Sequence, residues 1–415
     1  MIELLYIPLM AVFDGSRGGS TSSENYYIKR IGQDPEIRLK LLSFEDFDED
    51  LPLVKKDMQK YAIDADIITR DRSVLAKINR YIYNFSSKNN PFDRNGNFTE
   101  EYYRKSLIGK LNRYKKEGYY PKIIVLAWTQ IILFIADIKA IYPDSKIISM
   151  EEDVSYLGLL RKRDKQTNWL KKWVFDKRYK NLKQSELRAL KMSDYVFSNN
   201  PKDLKLLIDD GIRPDKINWI SPWFHDFSSV VDHNADLKDP YILYYGAMGR
   251  PENYLSAIHI IKTVLPNIDE RIKLVVVGSK PPESLLRYQN ERIKVTGFVE
   301  SVAPFFEKCL CLVAPIQLGA GIKIKVLESL SAGVPVLTNQ IGIEGIEVED
   351  GVDFLFCEST DDYIQGISSI YEERIDSRRM SESAKRKVKE KYNYEKSSQV
   401  MIKTIKTLIG EKYEI

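Results

Sequence analysis

Short runs rich in β-branched residues recur along this chain, most of them followed by a segment of helical spacing or a turn; this alternation limits the possible folds more than any other feature. Ile2 to Leu9, Ile37 to Leu42, Ile123 to Ala127, Lys146 to Met150, Tyr195 to Ser198 and Ile217 to Ile220 form a first series. The pattern pauses over Ser221 to Pro240, a polar stretch bracketed by prolines. It resumes with Tyr241 to Gly246, Leu274 to Val277, Ile293 to Thr296, Leu310 to Ala314, Val334 to Thr338 and Phe354 to Phe356. Repeated β–α order gives parallel sheets covered by helices, so an α/β chain with two doubly wound sheets is expected. Ligand crevices lie at strand carboxyl ends, and two such sheets in tandem would share a cleft. The chain has 415 residues, 43% of them hydrophobic, enough for two cores. The expected divisions are a domain over 1–221, a linker over 222–240, a domain over 241–390, and a terminal helix over 391–415 with the option of crossing back to the first domain.

A net charge of +4 on this length argues against a nucleic-acid binder. Three cysteines make no disulfide framework, and a reducing cytoplasm suits them. Cys309 and Cys311 alternate within "CLCLVAPI" and read as one face of a buried strand. The amino terminus has no basic leader and reads as a first strand. Ile123 to Ala136 is too short to span a bilayer and reads as a buried strand turning into a buried helix. His225, His233 and His259 have no second ligand at metal spacing. The acidic pairs Asp64/Asp66 and Asp48/Asp50 follow no convincing strand end, so no metal is expected.

Leu318 to Val336, "LGAGIKIKVLESLSAGVPV", carries the clearest chemistry. Gly319 and Gly321 turn the chain out of a strand, and a helix is expected from about Ile322 to Ser331. Glycines before a helix let backbone N–H groups approach a phosphate at the positive helix end. Lys323 and Lys325 fall in that first turn, where cations are unfavourable unless an anion is present. Glu328 leans back toward the same end, placed to accept hydrogen bonds from sugar hydroxyls. The plainer reading pairs Glu328 with Lys325 at i, i+3 on a solvated surface.

That stretch, together with "YYGAMGRPENYLSAIHIIKTVLPNI", "LVVVGSKPPE" and "IKVTGFVESVAPFFEKCLCLVAPIQLG", closely resembles the donor half of glycosyltransferase family four. The resemblance is dense from Tyr241 to Glu344 and thin before that. It implies a GT-B fold of two facing Rossmann-like domains, retention of anomeric configuration and a nucleotide-diphosphate sugar as donor, without a cofactor. On that resemblance Glu328 holds the ribose, Gly321 and Ile322 meet the diphosphate or donor sugar, Arg250 meets the diphosphate, and Gly297 and Phe298 pack against the base. The family's second basic residue is replaced by Tyr254 and Leu255, and Lys323 or Lys325 would supply that charge. The family's paired glutamate, eight residues before Glu328, is Ala320, which leaves the sugar open.

In the first domain, Gly18 and Gly19 resemble the family's glycine loop facing donor phosphates and acceptor; the alternative is a turn capped by Ser20 or Ser22. Glu152 and Asp153 resemble the acids near the acceptor, where a carboxylate orients or polarises a hydroxyl; Asp153 would otherwise cap a helix starting near Val154. Arg250, Lys323, Lys325 and Asp153 are the expected catalytic residues. The function implied is hexosyl transfer to a carbohydrate or lipid-linked acceptor in surface polysaccharide or glycoconjugate synthesis, with a nucleotide-sugar epimerase or a non-catalytic binding protein as alternatives. Arg161 to Lys183, "RKRDKQTNWLKKWVFDKRYKNLK", reads either as a basic amphipathic helix in peripheral contact with the inner face of a membrane or as a solvated helix whose aromatics pack on the core.

Overall fold

The computed structural model describes residues 1–14, 19–45, 50–69, 101–230, 238–317 and 321–410, with 73–75, 77–78, 81–82, 93 and 95 between them. The chain divides into two compact units, residues 1–223 with 394–415, and residues 224–393.

The first unit is built from β1 (Ile2–Ile7), α1 (Gly19–Gly32), β2 (Ile37–Glu45), α2 (Leu51–Gln59), β3 (Asp64–Thr69), α3 (Glu101–Lys116), β4 (Ile123–Ala127), α4 (Ile135–Ile141), β5 (Lys146–Glu151), α5 (Ser155–Asp164), α6 (Trp169–Met192), β6 (Tyr195–Ser198), α7 (Pro201–Asp209) and β7 (Ile217–Trp219). The sheet runs β3-β2-β1-β4-β5-β6-β7, and each neighbouring pair of strands is parallel. Its central strands are nearly continuous apolar runs because helices cover both faces. Leu5, Ile124, Leu126, Ile138 and Leu182 form the core on one face. Leu4, Tyr6, Ile28 and Val125 form the core on the other, which Met401 and Ile405 complete. Ile123 to Ala136 resolves into β4, a short helix and the start of α4.

The second unit contains β8 (Tyr241–Tyr245), α8 (Pro251–His259), β9 (Lys273–Val277), β10 (Ile293–Val295), β11 (Cys311–Ala314), α9 (Ile324–Ala332), β12 (Val336–Thr338), β13 (Leu355–Phe356), α10 (Thr360–Tyr371) and α11 (Ser377–Lys391). Its sheet runs β10-β9-β8-β11-β12-β13, again with parallel pairings. Cys309, Cys311 and Cys357 are buried and form no disulfide among the described residues, and burial pushes the Cys311 thiol well up. The last helix, α12 (Tyr394–Leu408), belongs to the first unit. There the nearly buried Lys406 ammonium meets Glu36 and, at 3.0 Å, Asp34.

One strand went unread, and two sequence readings need correction. Asp64 and Asp66 lie on a strand, β3, at the edge of the first sheet. Its residues are half-buried or exposed, so it lacks the apolar signature of the inner strands. The two acids serve ion pairs, Asp64 with Lys40 and Asp66 with Lys110 at 2.6 Å. The first correction is that Arg161 to Lys183 is not one helix: it breaks between α5 and α6, and Asn168 caps α6 by accepting from the Lys171 N–H. The second is that α9 starts at Ile324, with Lys323 as its N-cap residue. Asp48 lies outside the described residues.

Candidate functional site

In the second sheet the strand order reverses between β8 and β11, whose successive connections run to opposite sides. A crevice opens at such a switch point, beyond the strand carboxyl ends. Two segments leave the sheet there, the loop from Gly246 to Arg250 after β8 and the chain after β11 that leads into α9. Leu327 and Leu330 hold α9 to the core, which fixes the positions of Lys325 and Glu328.

The Tyr245 hydroxyl, at the end of β8, lies 2.9 Å from Glu328 Oε2 and 2.8 Å from the Lys325 carbonyl oxygen, sharing its one proton between them. The His225 N–H donates to Glu328 Oε1 at 3.3 Å. Burial raises the Glu328 carboxyl to about 7, against the pull of those two donors and of Lys325. Lys325 turns the other way: its Nζ donates to Asn253 Oδ1 at 2.7 Å and to the Tyr244 hydroxyl at 3.3 Å, and sits 4.7 Å from the Tyr244 ring centre. Burial, then the neighbouring Lys323, lowers Lys325 to about 7; Glu252 opposes this and Arg250 adds to it. The surface pair of the plainer reading, Lys325 with Glu328, does not form among the described residues. Instead each is held separately, a carboxyl and an amine poised near neutrality one helical turn apart.

Glycines shape the adjoining floor. Gly246, Gly278 and Gly297 follow β8, β9 and β10 and all have positive φ. Their backbones interlock: Gly246 donates to the Val277 carbonyl and Gly278 to the Gly297 carbonyl, both at 3.0 Å. A Cβ on Gly278 would sit 1.6 Å from the Gly246 carbonyl oxygen, so only glycine permits this approach. Phe298, directly after, is 76% exposed, an open aromatic face. Arg250 is the N-cap residue of α8 and is mostly exposed, with Nε 2.6 Å from Glu252 Oε1. Gly321 and Ile322 are half-buried ahead of α9, and the Gly321 carbonyl accepts from Lys323 Nζ. Ala320 lies outside the described residues. Arg250, Lys323 and Lys325 thus gather three basic groups near the α9 amino end, with Glu328 one turn in.

In the first unit, Gly18 lies outside the described residues, and Gly19 opens α1, which puts Ser20 and Ser22 inside the helix. Glu152 follows β5, is buried, and accepts from Asn199 Nδ2 at 2.5 Å. Burial, reinforced by Glu24, raises its carboxyl well above the usual range. Glu24, on α1, is itself raised to about 8 by burial, with the Trp128 indole partly offsetting it. Trp128 directly follows β4 with φ 74°, a conformation few non-glycine residues adopt. Asp153 does not cap the following helix: Val154 occupies the N-cap position and α5 starts at Ser155.

Sequence reasoning missed Tyr244, Tyr245 and Asn253. The signal was present, since "YYG" ends a strand at a switch point, where alternate side chains face the crevice. Among the described residues, no cluster of three His, Cys, Asp or Glu side chains is arranged to hold a metal ion. None of the described helices is long and apolar enough to cross a membrane.

Residues 239–373, which carry the switch-point site, match a domain family described as Glycosyl transferases group 1. No curated protein sequence matches the chain. Among solved structures, sucrose-phosphate synthase from Thermosynechococcus elongatus is similar at TM-score 0.68 and 12% identity, covering 99% of both chains. HepE of Anabaena, solved in complex with UDP, is similar at TM-score 0.66 and 12% identity, covering 98% of this chain and 100% of its own. TarM of S. aureus, solved with fondaparinux, alpha-GlcNAc-glycerol and UDP, gives TM-score 0.64 at 10% identity, covering 98% and 100%. Identities this low establish the shared fold of two Rossmann-like domains, the GT-B class.

Proposed function

We propose that this chain is a retaining glycosyltransferase of family four that moves a hexose-type sugar from a nucleotide-diphosphate donor to a carbohydrate or lipid-linked acceptor. The observation that carries the reading is the Tyr245–Glu328 and Asn253–Lys325 arrangement at the switch point, inside the segment that matches a glycosyl transferase domain. Glu328 keeps lone pairs free for ribose hydroxyls while Tyr245 and the His225 N–H fix its orientation. The donor diphosphate lies at the α9 amino end, beside Gly321 and Ile322, and the base stacks near Gly297 and Phe298. When the sugar–phosphate bond breaks, negative charge grows on the leaving diphosphate and the sugar becomes oxocarbenium-like. Arg250, Lys323 and Lys325 stabilise that charge, and Lys325, poised near neutrality, takes up a proton as the anion arrives. No metal is needed for this electrostatic work.

In this reading Asp153 and Glu152 are assigned to the acceptor, and Gly18 and Gly19 to the donor phosphates. The biological setting of this reading is surface polysaccharide or glycoconjugate synthesis in the cytoplasm, with peripheral membrane contact. UDP-glucose and UDP are the first donor and product to try, given HepE and TarM. A thermal-shift screen over nucleotide sugars and nucleoside diphosphates tests the donor site, because a ligand bound only by the folded state raises its melting temperature. A positive shift with at least one of them is expected, and none at millimolar concentration removes the assignment. Product analysis with and without acceptor then separates transfer from epimerisation.

A further inference from the structure

The amino-terminal end of α6 departs from the usual placement of apolar side chains. Residues 167–173 are exposed at every position. Trp169 is 73% exposed, Leu170 52% and Trp173 42%. Further along, Phe175 and Tyr179 pack on the core, and Leu182, Glu186, Ala189 and Leu190 are buried. At 100° per residue, Trp169, Leu170, Trp173, Lys177 and Lys180 share the face opposite those buried residues. The helix is therefore anchored by its later turns and presents an apolar tip at its start.

The charge around that tip is one-sided. Arg161 to Lys183 holds ten basic residues and two acids, a net +8 within a chain of net +4, so the remainder carries −4. Both acids are neutralised internally. Asp164 pairs with Arg163 at 2.8 Å, and Asp176 pairs with Arg163 at 3.1 Å and Lys180 at 2.8 Å. Lys162, Lys171, Lys172 and Lys177 are exposed and make no ion pair among the described residues.

We infer that the amino-terminal end of α6 docks on an anionic bilayer, with Trp169, Leu170 and Trp173 in the headgroup region and Lys171, Lys172 and Lys177 on lipid phosphates; this deepens the peripheral-contact part of the proposed function. Two tryptophans and a leucine grouped at a tip gain from an interface that accepts apolar rings and their polar edges together. Lys177 shares the tryptophan face, while Lys171 and Lys172 lie on the other side of this exposed first turn and reach the phosphates around the tip through their long stems. A second copy of this chain is a poor occupant, because a two-fold contact would oppose two +8 segments. A nucleic acid would satisfy the lysines but leave Leu170 without a use.

Sedimentation of the full chain with vesicles tests this directly. Phosphatidylcholine vesicles are compared with vesicles holding about a third phosphatidylglycerol, at about 0.1 M salt, where charges still act over roughly 10 Å. The protein should pellet with anionic vesicles only and return to the supernatant at about 1 M salt. Lys171→Gln, Lys172→Gln and Lys177→Gln together should lower the partition coefficient roughly a hundredfold, at about fivefold per charge. Trp169→Ser with Trp173→Ser should lower it by about tenfold or more. All five positions are exposed, so both variants should melt as the wild type does. Equal recovery in the supernatant with both vesicle types overturns the inference, as does unchanged binding of the tryptophan variant, or displacement from vesicles by duplex DNA at lower concentration than by anionic lipid. A protein that shows a donor-induced melting shift yet ignores vesicles loses membrane docking and keeps the donor site; the reverse result separates them the other way.

Discussion

Replacing Glu328 by glutamine keeps the shape of the side chain and removes its charge. In the structure one carboxylate oxygen accepts from Tyr245 and the other from the His225 N–H, and each has a second lone pair for a ribose hydroxyl. An amide leaves one acceptor oxygen and turns an NH2 toward a group that itself donates. Hydrogen bonds to a charged acceptor contribute about 1.5–3 kcal/mol, so the variant should bind UDP-glucose roughly 10- to 150-fold more weakly near pH 7.5. The pH profile is the sharper readout. With Glu328 near 7, wild-type affinity should fall as pH drops below that value, since only the ionised form accepts from both hydroxyls. With Lys325 also near 7, affinity should fall on the alkaline side as the ammonium is lost. The wild type should therefore show a maximum near neutrality, with two apparent pKa values that belong to the pair. Glu328→Gln should keep only the alkaline limb. Calorimetric titration with UDP-glucose from about pH 6 to 8.5 checks this, because the donor itself does not titrate in that range. A flat wild-type profile, or a folded variant within about twofold of wild-type affinity, refutes the reasoning. Stability follows the same group with its own sign. A carboxyl raised above its unfolded value of 4.5 favours the folded state below that pH, and the contribution, at most about 3 kcal/mol, is lost as pH rises through about 7.

Arg250→Ala should lower turnover more than ground-state donor affinity, because the charge it meets grows in the transition state; steady-state kinetics set against calorimetric affinity decide this, and equal losses in both make Arg250 a binding residue only. Gly278→Ala forces a Cβ to within 1.6 Å of the Gly246 carbonyl oxygen and should cost more than about 2 kcal/mol, whereas Gly297→Ala, with positive φ but open space, should cost about 1–2 kcal/mol. Thermal melting of the two variants measures the contrast, and equal melting temperatures would show that the loops do not need that close approach.

Much of the architecture was legible because parallel strands covered on both faces must be apolar along their whole length. "IIVLA" and "CLVA" announce β4 and β11 without any knowledge of their neighbours. β3 was not legible, since an edge strand buries little, and the charges of "DADIIT" become compatible with a sheet only when Lys40 and Lys110 stand beside them. The break between α5 and α6 was hidden for a related reason. Basic and aromatic residues on both sides of the polar stretch at 166–168 suggest one helix, and the break shows only where Asn168 caps α6 and α5 packs back against it.

At the candidate site, sequence placed two lysines and a glutamate on a glycine-led helix start, because spacing along one helix is a local property. It also fixed the class of fold, because the periodicity of apolar residues is local too. What tertiary structure alone decided is how those charges behave. Tyr245 reaches Glu328 from 83 residues away, and Asn253 meets Lys325 across 72. Such partners are chosen by the strand order that sets β8 beside β11. Burial between those elements brings a carboxyl up and an amine down to about 7, a result no spacing predicts, because desolvation depends on everything packed around a group and not on its neighbours in the chain.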